Sequence, residues 1–469
     1  MKITFIGAGS IGFTRKLIAD ILAVRAFHDV EICLEDISEK NLEMIHGLVK
    51  RDIEANGLTR VQVTTSLDQR KAVAGAKYIF SVARVGGLAA FETDVEIPLR
   101  YGIDQCVGDT ICAGGIMYGQ RTIPFILELC KDIREVGAPG AMLLNYSNPM
   151  AMNTWAANTY GGVRTVGLCH GVQHGHQQIA EVLGLKQGEV DIVCAGINHQ
   201  TWYIQVRHKG EDMTGKLLAA FERHPVYSKQ EKVRIDMLRR FGYYSTESNG
   251  HLSEYLPWYR KRPDEIMRWV DLSEWIHGET GGYLRHCREQ RYTFEEEYTR
   301  WVSDPPLTYG DASRSQEHGS YILEGIETGR VYRGHFNVVN RGAIANLPPD
   351  AVVEVPGYVD ANGMAIPIVG DLPLGPAAVC NASVSVQRLA VEAALRGDDQ
   401  LLRQAMMMDP LVGAVCNPPE IWQMVDEMLV AEAMWLPQYG AAIREAKARL
   451  ANGKRIPTRE WAGGARLGR

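Results

Sequence analysis

No stretch of this chain approaches the roughly 18 consecutive apolar residues of a membrane span, although 46% of its 469 residues are hydrophobic. Long blocks of like charge are missing too: a net charge of −6 is spread along the sequence and offers no surface for a polyanion. Neither a membrane nor nucleic acid is therefore expected as a partner, and the short basic stretch from Arg459 to Arg469 does not change that. The nine cysteines are odd in number and show no paired spacing, which argues against a disulfide framework and for reduced thiols. Cys33, Cys130, Cys194 and Cys380 sit in apolar context and are expected to pack as small buried hydrophobes. The first twenty residues lack the cationic, apolar and small-residue order of a leader, so a cytoplasmic location is expected. There is no internal repeat and no low-complexity segment.

What is present is an alternation. Apolar runs at Ile3–Ile6, Val30–Leu34, Val61–Thr65, Tyr78–Val82, Met142–Asn145 and Val163–Leu168 read as strands, with helical patterns such as Lys16–Val24, Glu39–Ile53 and Thr122–Val136 between most of them. Strands buried on both faces and joined by long crossovers form a parallel, doubly wound sheet. The expected fold class is α/β, a Rossmann-like doubly wound parallel sheet with a second α+β domain. Residues 1–196 are expected to form the first unit and 197–469 the second. In that second unit a strand pair is expected near Val352–Val359 and Ala365–Val369, and the charged stretch Arg285–Arg300 reads as a solvated helix or a mobile segment.

Gly7, Gly9 and Gly12 match GxGxxG directly after the first strand, with Ser10 in the same turn, and Asp36 closes the second strand. That combination cradles a dinucleotide, with the acid on the adenosine ribose hydroxyls; it would repel a 2′-phosphate, which favours NAD over NADP. Cys169 and His199 each follow an apolar run, so both can reach the crevice at the carboxyl edge of the sheet. One thiolate and one imidazole leave positions open on a divalent ion for water and substrate. Taken alone, the two residues read more readily as a buried Cys and an unrelated polar His, and His170, His174 and His176 offer a rival set. Asn148, in Asn145–Pro149, is a candidate for hydrogen bonds to a polyhydroxylated ligand or simply a turn former. Asp109 is a candidate acid behind the site or a cap on the helix that follows it.

These residues resemble the NAD- and manganese-dependent glycosidases, glycoside hydrolase family 4. The likeness runs through GAGS at the start, GDT, GGI and RTIP at 108–124, NYSNPMAMNTWA at 145–156, LCHGV at 168–172, AGINH at 195–199 and NLPPDAVVEVPGYVDANG at 346–363. Within the family the chain is most similar to the α-galactosidase branch, through PMAMNTWA and the segment from Thr246 to Trp258. The family is an exception to two-carboxylate glycoside hydrolysis. The resemblance implies that a hydride passes from sugar C3 to NAD, that the C2 proton is then removed, and that Mn²⁺ on Cys169 and His199 steadies the sugar oxygens. Elimination, water addition and return of the hydride complete the cycle. His170 follows the ligand cysteine where the 6-phospho-α-glucoside branch has an acid. His251 is the first choice for the base, with Tyr255 and Glu247 behind it. Phospho-sugar members carry an arginine in the loop after the fourth strand, where this chain has Phe91, so an unphosphorylated glycoside is favoured. Gly171 departs from the serine usual in α-galactosidases and keeps α-glucosides and α-glucuronides in view. The resemblance implies that residues 1–196 bind NAD and that 197–469 serve substrate, metal and oligomer contacts, in a homo-oligomer, dimer or tetramer, with a fold related to the lactate/malate dehydrogenase superfamily. Two more distant readings are an NAD-linked hydroxyacid dehydrogenase, which needs no Cys/His metal site, and a non-catalytic NAD-sensing protein.

Overall fold

The structure is a computed structural model describing residues 1–453 and 455–459; the basic stretch from residue 460 onward lies outside the described residues. Its strands are β1 Lys2–Ile6, β2 Glu31–Glu35, β3 Gln62–Ser66, β4 Ala76–Ser81, β5 Met142–Asn145, β6 Arg164–Gly167, β7 Asp191–Ile197, β8 Gln200–His208, β9 Glu211–Asp212, β10 Tyr332–Val339, β11 Val352–Asp360 and β12 Gly363–Ala365. The neighbours β3-β2-β1-β4-β5-β6 are all parallel, as expected for strands separated by helices.

Strand periodicity explains why helices cover both faces. Phe5, Phe80 and Leu144 point to one side, where Leu17, Ile18, Ile45 and Leu48 of the Ile11–Leu22 and Glu39–Ala55 helices meet them. Ile6, Ile79 and Leu143 point to the other side, onto Ile126, Leu129 and Ile133 of the Cys112–Val136 helix. Each such side chain, taken fully from water, stabilises the fold by about 1.5–3 kcal/mol. Cys33, Cys130, Cys194 and Cys380 are all buried, and all nine cysteines are free thiols.

The second half of the chain does not form a separate sheet. β10 joins β6 antiparallel, with Asn337 opposite Gly167, and β11 joins β7 with Glu354 opposite Gly196. One sheet therefore crosses residue 196, and two strands from the C-terminal half separate β6 from β7. This inserted pair lies between the strands that precede Cys169 and His199.

Two local expectations differ from what forms. The Cys112–Val136 helix begins ten residues before Thr122 and contains Gly114 and Gly115; these glycines serve close packing rather than a turn, because a Cβ on Gly115 would lie 2.4 Å from the backbone of Thr110. β12 ends at Ala365 instead of continuing to Val369, consistent with Pro367, which has no N–H to donate to a ladder. Of the two readings of Arg285–Arg300 the helix is the one that forms, within Gly282–Ser303, packed beside the glycine-rich turn.

Candidate active site

The glycine-rich turn opens on a cleft of about 850 Å³ lined by Gly9, Ser10, Gly12, Asn41, Arg291 and Trp301 among others. Gly7 has φ +84°, and a Cβ there would lie 2.5 Å from Ala83 Cα, so only glycine lets the turn sit this close to the segment that follows β4. Gly9 donates its N–H to Asp36 Oδ2 at 2.7 Å, and Ser38 N donates to Asp36 Oδ1 at 2.8 Å. The acid is thus held at the mouth of the cleft with lone pairs to spare. Ser10 is the N-cap of the Ile11–Leu22 helix but makes no side-chain capping bond, and the first turn of that helix carries no acid. The uncapped N–H groups and the helix dipole suit a pyrophosphate, the ring of Trp301 on the Gly282–Ser303 helix faces Gly12, and Asp36 suits ribose hydroxyls. These residues fit NAD.

The second site lies beyond β6 and β7. Cys169 follows β6 just ahead of the Gly171–Val182 helix. His199 sits in the two-residue turn joining β7 to β8, with φ +63°, a left-handed conformation that costs a non-glycine residue roughly 1–3 kcal/mol. Glu247 completes the group: ligand-type atoms of Cys169, His199 and Glu247 all lie within 4.8 Å of one another. His199 Nε2 is 3.4 Å from Glu247 Oε2, and Cys169 Sγ is 4.0 Å from the same oxygen. Burial, aided by Glu247, raises the Cys169 thiol pKa well above its ordinary value. Burial also lowers His199 to about 4, so this imidazole is neutral at physiological pH. Glu247 is opposed by burial, yet the imidazoles of His199, His251, His170 and His174 hold it below the usual carboxylate range. A neutral imidazole, a carboxylate and a thiol that needs a cation to ionise form a donor set fitted to a divalent metal ion.

Around this group the candidate residues divide. His251 lies against the site, its Nε2 2.7 Å from His199 Nδ1 and its Nδ1 2.6 Å from Glu254 Oε1. Tyr255 is buried, with its ring edge-on to His251 and its hydroxyl 3.5 Å from the Asn198 carbonyl oxygen. His170, about half exposed, contacts Glu317 at 3.2 Å, and that hydrogen bond raises its pKa. His174 stacks near it, with ring centroids 4.8 Å apart, while His176 turns away to the Val190 carbonyl oxygen.

Asp109 does not cap the following helix, whose N-cap is Ile111. Its Oδ2 accepts from Arg84 Nη2 at 2.9 Å and from Asn148 Nδ2 at 3.2 Å, while Thr110 Oγ1 bonds to Oδ1 and lies 3.3 Å from His199 Nδ1. Burial opposes the Asp109 charge, but Arg84 and the nearby imidazoles hold its pKa below normal. Phe91 is not in a loop: it lies inside the Gly87–Arg100 helix, 1% exposed and packed on Val95 and Leu284. Its ring supports the Arg84 guanidinium, 4.7 Å from the ring centroid.

Sequence reading missed Arg84, Thr110, Glu254 and Glu317 as parts of this network. Glu254 alone carried a visible signal, its i,i+3 spacing from His251 on the Asn249–Tyr255 helix. Arg84, Glu317 and the contact of Thr110 with His199 are joined only by folding.

Comparison with known proteins agrees with this architecture. The family model described as Family 4 glycosyl hydrolase matches residues 2–185, and that of the Family 4 glycosyl hydrolase C-terminal domain matches residues 194–412. The chain is 62% identical over 467 residues to an α-galactosidase of Rhizobium meliloti (strain 1021), covering 99% of this chain and 95% of that one. It is 34% identical to an α-galactosidase of Bacillus subtilis (strain 168), covering 93% and 99% of the two chains. Among solved structures, the Bacillus subtilis protein lplD superposes with a TM-score of 0.79 at 25% identity, covering 92% of this chain and 99% of that chain. A 6-phospho-α-glucosidase from gut microorganisms, solved with NAD and glucose-6-phosphate, superposes with a TM-score of 0.76 at 25% identity, covering 93% and 99%. The chain belongs to family 4 of the glycosyl hydrolases.

Proposed function

We propose that this protein is an α-galactosidase acting on unphosphorylated α-galactosides, with NAD and Mn²⁺ as bound cofactors. The observation that carries the reading is the convergence of Cys169, His199 and Glu247 in a fold whose glycine turn suits a dinucleotide. When bound, NAD supplies reversible hydride uptake and the metal ion supplies Lewis acidity toward sugar oxygens. In this reading Cys169, His199 and Glu247 hold the ion, while Gly7, Gly9, Ser10, Gly12 and Asp36 hold the nucleotide.

The remaining roles belong to the side chains around them. Asn148 and Asp109, braced by Arg84, hydrogen-bond the sugar hydroxyls. His251 takes the C2 proton. His170 delivers a proton to the departing oxygen; Glu317 supports its charged form, and its partial exposure lets it recharge from solvent. Tyr255 supports His251 by packing. The high identity to the Rhizobium α-galactosidase supports the choice of sugar. We further propose that residues 1–196 hold the nucleotide and share the metal and sugar site with residues 197–469, that the enzyme works as a homo-oligomer to which exposed Ile368 and Leu374 lend apolar surface, and that a reducing compartment such as the cytoplasm suits the thiol of Cys169. Among the described residues no helix is long and apolar enough to cross a membrane.

The test is a panel of nitrophenyl α- and β-glycosides, with and without a 6-phosphate, assayed with NAD, Mn²⁺ and thiol. The unphosphorylated α-galactoside should show the highest kcat/KM. A preference for the α-glucoside or α-glucuronide would overturn only the choice of sugar, whereas a preference for a 6-phosphate would overturn the unphosphorylated class.

A further inference from the structure

Glu254 touches neither the Cys169–His199–Glu247 group nor the nucleotide cleft, and it is 1% exposed. Its carboxylate accepts three backbone N–H groups: Cys106 N at 2.6 Å and Val107 N at 3.1 Å on Oε2, and Gly108 N at 3.1 Å on Oε1. Backbone N–H groups can only donate, so they favour the charged, all-acceptor form of this acid. The fourth partner is His251 Nδ1, 2.6 Å from Oε1. Facing a carboxylate with no proton to give, that nitrogen must carry the hydrogen.

The consequence passes outward. Neutral His251 with a proton on Nδ1 has its lone pair on Nε2, and Nε2 lies 2.7 Å from His199 Nδ1. His199 Nδ1 must then be the donor, which leaves the His199 lone pair on Nε2, the nitrogen that faces Glu247. We infer that Glu254 is a positioning residue that sets the protons on His251 and, through it, on His199, committing His199 to present an unprotonated Nε2 to the metal group. The inference rests on the reading of Cys169, His199 and Glu247 as a metal site. It extends that site by one carboxylate reached through two rings, where a ligand histidine usually bonds its orienting group directly.

The test is Glu254→Gln. Its amide oxygen keeps the bonds from Cys106 N and Val107 N and gives up only that from Gly108 N, whereas the reverse orientation would give up two; the NH₂ therefore faces His251, Nδ1 must then accept, Nε2 gains the hydrogen, and His199 is driven to the tautomer protonated on Nε2. Mn²⁺ affinity, measured by calorimetry on the full chain without substrate, should fall by about 10–100-fold, while NAD binding and the unfolding temperature change little. Nitrogen-15 spectra of histidine-labelled protein should show both imidazoles protonated on Nδ1 in the wild type and on Nε2 in the variant. If Glu254→Gln fails to fold, His251→Leu removes the acceptor of the relay and should lose Mn²⁺ affinity to a similar extent, whereas His251→Gln keeps an acceptor oxygen and should recover part of it. Wild-type Mn²⁺ affinity in folded Glu254→Gln or His251→Leu, or unchanged tautomers in Glu254→Gln, would overturn the relay. A wild-type protein that takes up no Mn²⁺ would overturn the metal reading instead, and the spectra would still decide the relay.

Discussion

Gly171 and Glu247 are packed so closely that a Cβ on the glycine would lie 2.8 Å from Oε2 of the glutamate. The position that departs from the serine usual in the α-galactosidase branch is therefore the one that makes room for the third donor beside Cys169 and His199. A contact below 3 Å cannot be kept, and the carboxylate is the part free to move.

Gly171→Ala should accordingly push Glu247 out of the group without disturbing the fold. We expect Mn²⁺ affinity to drop by about tenfold or more, read by calorimetry, with an unchanged circular dichroism spectrum. Affinity equal to wild type would mean that Glu247 is not a ligand.

Cys169→Ser and His199→Ala remove one donor each from the metal group but leave the glycine turn and Asp36 intact. Both variants should lose Mn²⁺ binding and nearly all glycosidase activity while binding NAD like the wild type. Near-normal turnover of either variant in chelator-treated buffer would rule out a shared metal site.

Hydrolysis should require NAD and yet leave no NADH behind, because the hydride withdrawn at C3 is returned before the sugar leaves. Following NADH absorbance alongside nitrophenol release separates the two outcomes. One NADH for each sugar released would identify a dehydrogenase.

Glu354, on β11 opposite Gly196, is buried, and burial pushes its carboxyl up to about 8 from an ordinary 4.5. Between those values the folded protein holds a proton that the unfolded chain has released, so this group's contribution to stability falls as pH rises through the window and levels off above it. Without metal, the wild-type Tm should decline more steeply between about pH 5 and pH 8 than that of Glu354→Gln, whose amide stays neutral throughout. Parallel curves would show that Glu354 is ionised in the fold at neutral pH.

The part of this protein legible in the sequence is the part written locally. A strand that runs into GxGxxG and a second that ends in Asp36 are read from neighbouring residues, because the backbone of a tight turn and the first helical N–H groups already form the cradle. Five of the six parallel strands were visible for the same reason, since burial on both faces demands apolar runs, whereas β3 at the sheet edge is largely exposed. Cys169 and His199 stood out because each ends such a run.

Tertiary structure decided everything that depends on which runs become neighbours. The sequence order of β6 and β7 gives no hint that β10 and β11 lie between them, since sheet order follows from long crossovers that bury the most apolar surface. The pairing of Glu247 with Cys169 and His199, the bracing of Asp109 by Arg84, and the burial of Phe91 beneath that arginine are likewise contacts between distant segments. Glu254 is the clearest case. Three residues after His251 it reads as an ordinary helical acid, and only the approach of the Cys106–Gly108 backbone, with its three N–H groups, makes it an anchored carboxylate from which the protons on two histidines can be derived.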